Sequence, residues 1–159
     1  MSVAFTREED AEAAAADLPD RPISPHPNLM TPEGLAQIEA ALAAARTAFT
    51  AAQAQGGIAE DRTAMARATR DLRYYGARRA TAQLIARPQA PDHVAFGAAV
   101  TFARDDGRVQ TFRIVGEDEA DPANGSVSYV SPLARALMGK SVGDGVVIVG
   151  GEAEILAIA

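Results

Sequence analysis

Cysteine is absent from this chain of 159 residues, and so is tryptophan. The first absence excludes a disulfide framework, a thiolate metal site and cysteine nucleophile chemistry. Lysine is nearly absent: of 15 basic residues, 14 are arginine and one is Lys140. Long apolar runs are missing too. No stretch approaches the roughly 20 residues that span a bilayer as a helix, so no transmembrane helix and no membrane partner are expected. The opening stretch MSVAFTREEDAEAAAADL carries acids where a secretory signal carries bases and a long apolar core, and a cytoplasmic location is expected. Positive charge is also in deficit. The formal charge is −6, which excludes a free-standing nucleic-acid binder.

What is present is alanine. Aromatics make up only 5% of the chain, but hydrophobic residues reach 48%, and 36 of them are alanine. Such a composition favours slim, closely spaced helices over a deep aromatic core. The charge is unevenly laid out, with −4 over residues 1–30, +3 over 31–90 and −5 over 91–159. An acidic chain with a basic middle predicts two surfaces with different partners.

Residues 1–30 read as a proline-rich arm. Thr6 with Glu9 fits a capping box for a short helix over 7–17. Prolines then stand at 19, 22, 25 and 27, which predicts an irregular, extended stretch. Residues 31–87 read as a helical hairpin. Thr31, Pro32 and Glu33 make a helix start: a capping hydroxyl, proline at the first position, an acid in the first turn. Apolar residues follow at Leu35, Ile38, Leu42, Ala45, Phe49 and Ala52, stepping 3 and 4 in alternation, a heptad seam. Gly56-Gly57 breaks the run. A second seam follows at Met65, Ala68, Leu72 and Tyr75 and continues weakly to Ala82 and Ile85. Two such helices joined by a Gly-Gly turn form an antiparallel pair. Arg67, Arg70, Arg73 and Arg78 place a basic face on the second helix.

After Pro91 the period changes to that of strands. Residues 94–102 are strand-like, with Gly97 marking a bulge. Asp106-Gly107 is a hairpin turn signal, and residues 109–115 alternate apolar and polar. Ser131-Pro132 caps a short helix over 133–138, and residues 146–158 form another hairpin across Gly150-Gly151. The expectation for 92–159 is a small antiparallel β domain with one short helix, and α+β for the whole chain.

No segment assembles a self-contained active site. Gly139-Lys140-Ser141 follows a helix, whereas a phosphate loop must precede one, and the glycine expected five residues earlier is Ala134. His26 and His93 stand alone, without a second ligand at metal spacing. The chain is not expected to be an enzyme.

Three motifs nevertheless stand in a recognisable order: Val94-Ala-Phe-Gly-Ala-Ala-Val-Thr101, Phe112-Arg-Ile-Val-Gly-Glu-Asp-Glu-Ala-Asp121 and Val130-Ser-Pro-Leu-Ala-Arg-Ala-Leu-Met-Gly-Lys140. Over residues 94–158 the chain resembles the C-terminal domain of the bacterial Gre transcript-cleavage factors (GreA/GreB-like), and Thr31-Pro32-Glu33-Gly34 is similar to the start of that family's hairpin. The resemblance implies an FKBP-like C-terminal domain, a divergent member with a shortened coiled coil, and a monomer whose partner is RNA polymerase, bound at the rim of the secondary channel. It implies a docking surface of Asp118, Glu119, Asp121, Ser131 and Pro132. It also implies hairpin-tip carboxylates, Glu60 and Asp61, acting in trans on the Mg²⁺ of the polymerase active centre, with no cofactor of the chain's own and contact with nascent RNA only through the polymerase. The family tip reads Gly-Asp-Leu-x-Glu-Asn. Here it is Gly56-Gly57-Ile58-Ala59-Glu60-Asp61, so Glu60 matches, Gly57 replaces the family's aspartate and Asp61 replaces its asparagine. The hairpin is shorter by about a heptad per arm, roughly 10 Å of reach. The alternative expectation is a non-cleaving secondary-channel regulator that competes with true Gre factors, like the short-hairpin relatives resembling a nucleoside diphosphate kinase regulator. A prolyl isomerase is the third reading, but the domain offers only Phe96, Phe102, Phe112 and Tyr129 to line a pocket.

Overall fold

A computed structural model describes residues 18–55 and 59–159, apart from the side chains of 59–61. The helix expected over 7–17 and the turn at Gly56-Gly57 lie outside the described residues. The chain divides into two compact units. One holds residues 18–25 together with Gln37–Thr81; the other holds His26–Ala36 and Ala82–Ala159.

The first unit is built on two helices, α1 (Pro32–Gln55) from Gln37 onward and α2 (Ala59–Ala80). The heptad seam predicts their buried faces. Ile38, Leu42, Ala45 and Ala52 on α1 and Ala68 on α2 are buried, and Phe49, Met65, Leu72 and Tyr75 are half-buried. Glu39 near the start of α1 meets Arg79 near the end of α2 at 2.9 Å, which fixes the pair as antiparallel. Arg78 and Arg79 place positive charge in the last turn of α2, where it complements the helix dipole. The helix ends at Ala80, so the weak continuation to Ala82 and Ile85 is not helical. Gln83–Leu84 instead forms a strand, because residues 28–30 offer its backbone a ladder.

The second unit contains that ladder and a five-stranded sheet. Strand β1 (Leu29–Met30) pairs in parallel with β2 (Gln83–Leu84). The last two residues before Thr31 are therefore not arm but sheet. The prolines leave residues 18–28 without helix or strand, as expected. The main sheet comprises β3 (Ala99–Arg104), β4 (Val109–Val115), β5 (Ser126–Ser128), β6 (Gly145–Ile148) and β7 (Gly151–Ile158), in the order β5-β4-β3-β7-β6. The fold is α+β, but the sheet is mixed: β4 and β5 run parallel, and every other pairing in it is antiparallel.

Alternation decides the faces. Val100 and Phe102 of β3, Ile114 of β4, Val146 and Ile148 of β6, and Ala153 and Ile155 of β7 point into one core. Helix α3 (Pro132–Leu137) closes it with Ala134 and Leu137, both fully buried. β3 begins at Ala99 rather than Val94. Gly97 takes φ +85°, and the Ala98 N–H turns back to the Ala95 carbonyl, so the backbone cannot be extended there. The bulge falls between Thr101 and Phe102, opposite β7. Among the described residues, no helix is long and apolar enough to cross a membrane.

Candidate functional site

The parallel pairing of β4 with β5 has a direct consequence for the predicted docking residues. Register pairs Val115 with Ser128, and the Tyr129 N–H donates to the Val115 carbonyl at 2.9 Å. Both strands therefore discharge their next residues at the same end of the sheet. From β4 comes the acidic segment Gly116–Asp121; from β5 come Ser131 and Pro132. An antiparallel pairing would have sent them to opposite ends.

Residues 27–34 run past this same end. The Tyr129 hydroxyl donates to the Pro27 carbonyl, and the Tyr129 ring meets Phe96 edge-on at 5.7 Å. Glu119 ties the acidic segment to the start of α1. Its carboxylate accepts from the Thr31 N–H at 2.9 Å, from the Thr31 hydroxyl, and from the Gly116 N–H at 3.4 Å. The Thr31 hydroxyl in turn accepts from the Gly34 N–H, so the cap and the loop share one hydrogen-bond network. Two glycines make room for it. A Cβ at Gly116 would stand 2.3 Å from the Leu29 carbonyl oxygen, and one at Gly34 would stand 2.1 Å from the Glu119 carboxylate.

The five predicted docking residues thus divide by what they present. Asp118, Asp121 and Pro132 are exposed. Asp121 accepts from the Asn124 amide at 2.6 Å, bracing the loop. Ser131 is half-buried and its Oγ accepts from the Ala134 N–H at 3.2 Å, the predicted N-cap. Glu119 faces inward onto Thr31. Sequence reasoning missed that role; the signals available were the two glycines and the capping threonine, which only fit together once the strands are paired.

Glu60 and Asp61 lie in the first turn of α2, and their side chains are outside the description. The basic face of α2 is less free than the sequence suggests. Arg67 is exposed, but Arg70 is half-buried beside Asp71, and Arg73 pairs with Asp20 at 3.1 Å. Arg78 is 2% exposed and does not belong to a solvent face at all. Arg21 lies over the Tyr74 ring at 3.8 Å and 3.6 Å from Asp71. Its pKa is raised, chiefly by a hydrogen bond with Tyr75 and against the effect of burial. The arm is thus attached to α2 by charge pairs and a cation–π contact, each a modest term in water. Among the described residues, no group of three or more His, Asp or Glu side chains is placed to hold a metal ion.

Residues 88–159 match the family model described as "Transcription elongation factor, GreA/GreB, C-term". The chain is 53% identical over 60 residues to the transcription elongation factor GreB of Neisseria meningitidis serogroup B, covering 38% of this chain and 37% of that protein. It is 38% identical over 98 residues to the transcription elongation factor GreA of Desulfovibrio desulfuricans, covering 60% and 55%. These matches span between about a third and about half of the relatives' length. A crystal structure of GreA factor homolog 1 of Thermus thermophilus aligns over 82% of this chain and 97% of its own, at 18% identity and a TM-score of 0.40, too loose a superposition to define a shared arrangement. Residues 88–159 are thus similar to the C-terminal domain of the GreA/GreB transcription elongation factors.

Proposed function

We propose that this protein docks on RNA polymerase at the rim of the secondary channel and regulates elongation from there. The reading rests on one combined observation. The GreA/GreB C-terminal match covers the domain in which the acidic segment and the start of α3 emerge side by side from one end of the sheet. Asp118 and Asp121 supply negative charge for steering, and Pro132, the first residue of α3, supplies an exposed apolar contact. Glu119 serves as a positioning residue, holding the loop against Thr31. The docking surface is tested by retention of core polymerase on immobilised protein. Ser131→Asp with Pro132→Ala is expected to abolish retention while the thermal transition survives. Equal retention by the folded double variant would sink the docking assignment.

The hairpin is the arm that reaches toward the polymerase active centre. Helix α1 has 24 residues and is about 36 Å long. Glu60 and Asp61 are the tip carboxylates of this proposal, oxygen ligands suited to Mg²⁺ held by the polymerase. A second metal ion there stabilises the attacking and leaving oxygens of phosphodiester cleavage. The chain alone is inert in this scheme. On stalled, backtracked complexes with Mg²⁺, the protein is expected to shorten the RNA 3′ end, and Glu60→Ala/Asp61→Ala is expected to remove that activity. Cleavage that persists in the double variant would show the tip assignment to be wrong.

Gly57 favours a second reading, because it removes the aspartate that the family tip carries. In that reading the protein occupies the channel without cleaving. It is then expected to inhibit cleavage stimulated by a true Gre factor when present at saturation.

A further inference from the structure

Thr31, Pro32, Glu33, Arg87, Gly97 and Arg113 line a cleft of about 220 Å³ within the second unit. That volume is far above the roughly 30 Å³ of one liquid water. We propose that this cleft is a binding site for a phosphate group, free or at the end of a nucleotide, held between the guanidinium groups of Arg87 and Arg113.

Both arginines face the same space. Arg113 is half-buried on β4, and its Nη1 donates to the Gly97 carbonyl at 2.8 Å. That bond pins the guanidinium and, among the described residues, is its only side-chain hydrogen bond. Its remaining donors are free for an anion. Arg87 is exposed and has no ion-pair partner within 4 Å among the described residues. The two cations feel each other. Burial first, and then the charge of Arg87, holds the Arg113 pKa below its ordinary value. Two like charges on one small cleft oppose each other unless an anion lies between them.

Among the described residues, Glu33 is the only carboxylate in the lining, and it does not close an ion pair with either arginine. Its pKa is lowered, chiefly by its own backbone amide, with smaller contributions from Arg87 and Arg113. The start of α1 is not what makes the site. Pro32 has no N–H, the Thr31 N–H belongs to Glu119 and the Gly34 N–H belongs to the Thr31 hydroxyl. The anion must therefore be held by the side chains. Guanidinium groups match phosphate geometry in a way that a lysine does not. The wall is preset as well: Gly97 sits at φ +85° with the Pro88 ring 3.2 Å from where a Cβ would be. The site does not depend on polymerase docking, and it shares only Thr31 with the network that holds the acidic loop.

The test is titration of the whole chain at low ionic strength with inorganic phosphate, adenosine monophosphate, adenosine and N-acetylglutamate, followed by calorimetry and amide chemical shifts. Both phosphate compounds are expected to bind and to shift the Gly97 and Arg113 amides, while adenosine does not. Tighter binding of the nucleotide identifies its terminal phosphate as the ligand; equal binding identifies free phosphate. Arg87→Ala is expected to weaken binding about tenfold, the loss of one charge-assisted contact. Glu33→Gln is expected to tighten it severalfold by removing the competing carboxylate. Arg113→Lys, which keeps the charge but loses the fork, is expected to weaken it. Phosphate binding indifferent to both Arg87→Ala and Glu33→Gln overturns the proposal. So does N-acetylglutamate binding as tightly as phosphate, and so does no binding at about 10 mM phosphate.

Discussion

Phe102→Ala is expected to cost the C-terminal domain about 3–5 kcal/mol, the range for removing a fully buried phenylalanine. Phe102 is completely buried and stacks on Phe112 with ring centroids 6.2 Å apart. It stands on the central strand of the sheet, so its loss opens a void between β3, β7 and α3. A single core of this size supplies only about 3–5 kcal/mol of net stability. The variant should therefore sit near or below its folding midpoint at 25 °C. Urea denaturation followed by circular dichroism measures this directly. Val109→Ala, at a residue 60% exposed, is the control and should change stability by less than about 0.5 kcal/mol. A Phe102→Ala transition within about 1 kcal/mol of the parent would contradict the assignment of the core.

Glu119→Ala is expected to cost about 2–4 kcal/mol, because it strips an acceptor from two backbone N–H groups and a hydroxyl at once. Thr31 is 7% exposed, so water does not readily replace the carboxylate. Hydrogen exchange should show lost protection at the Thr31 and Gly116 amides, with the strands of the main sheet protected as before. Glu119→Gln keeps one acceptor oxygen and should lose less than half as much. The same variants separate two roles. If Glu119→Ala keeps its stability and its Thr31 protection but no longer retains polymerase, the side chain is a contact residue rather than a strut.

Both predictions depend on features of different legibility in the sequence. The Phe102 position follows from strand alternation between Val100 and Arg104, and its burial could be anticipated without a structure. The heptad seam is of the same kind. Ile38, Leu42, Ala45, Ala52 and Ala68 are buried where their spacing places them, because helical period is a local property. Ser131 and Thr31 cap helices for equally local reasons. Glu119 is different. It lies in a run of acids that reads as a solvated loop, and its partner is 88 residues away.

What was misplaced has a common cause. Gln83–Leu84 became a strand because Leu29–Met30 was present to pair with it, and two-residue strands carry no periodicity to detect. Arg78 reads as one of a row of exposed arginines, yet it is 2% exposed. β3 begins five residues later than its apolar run because Gly97 turns the backbone.

The sequence by itself determined the helical seams, the caps, the hairpin turns, the absence of cysteine chemistry and the GreA/GreB likeness of residues 88–159. All of these are set by neighbours within a few positions or by a motif read in order. Only the tertiary structure decided that β4 and β5 run parallel, that the acidic segment and Ser131-Pro132 therefore leave the sheet together, and that Arg87 and Arg113 share one cleft. Those facts depend on which distant backbone groups satisfy one another, and no local pattern specifies that choice.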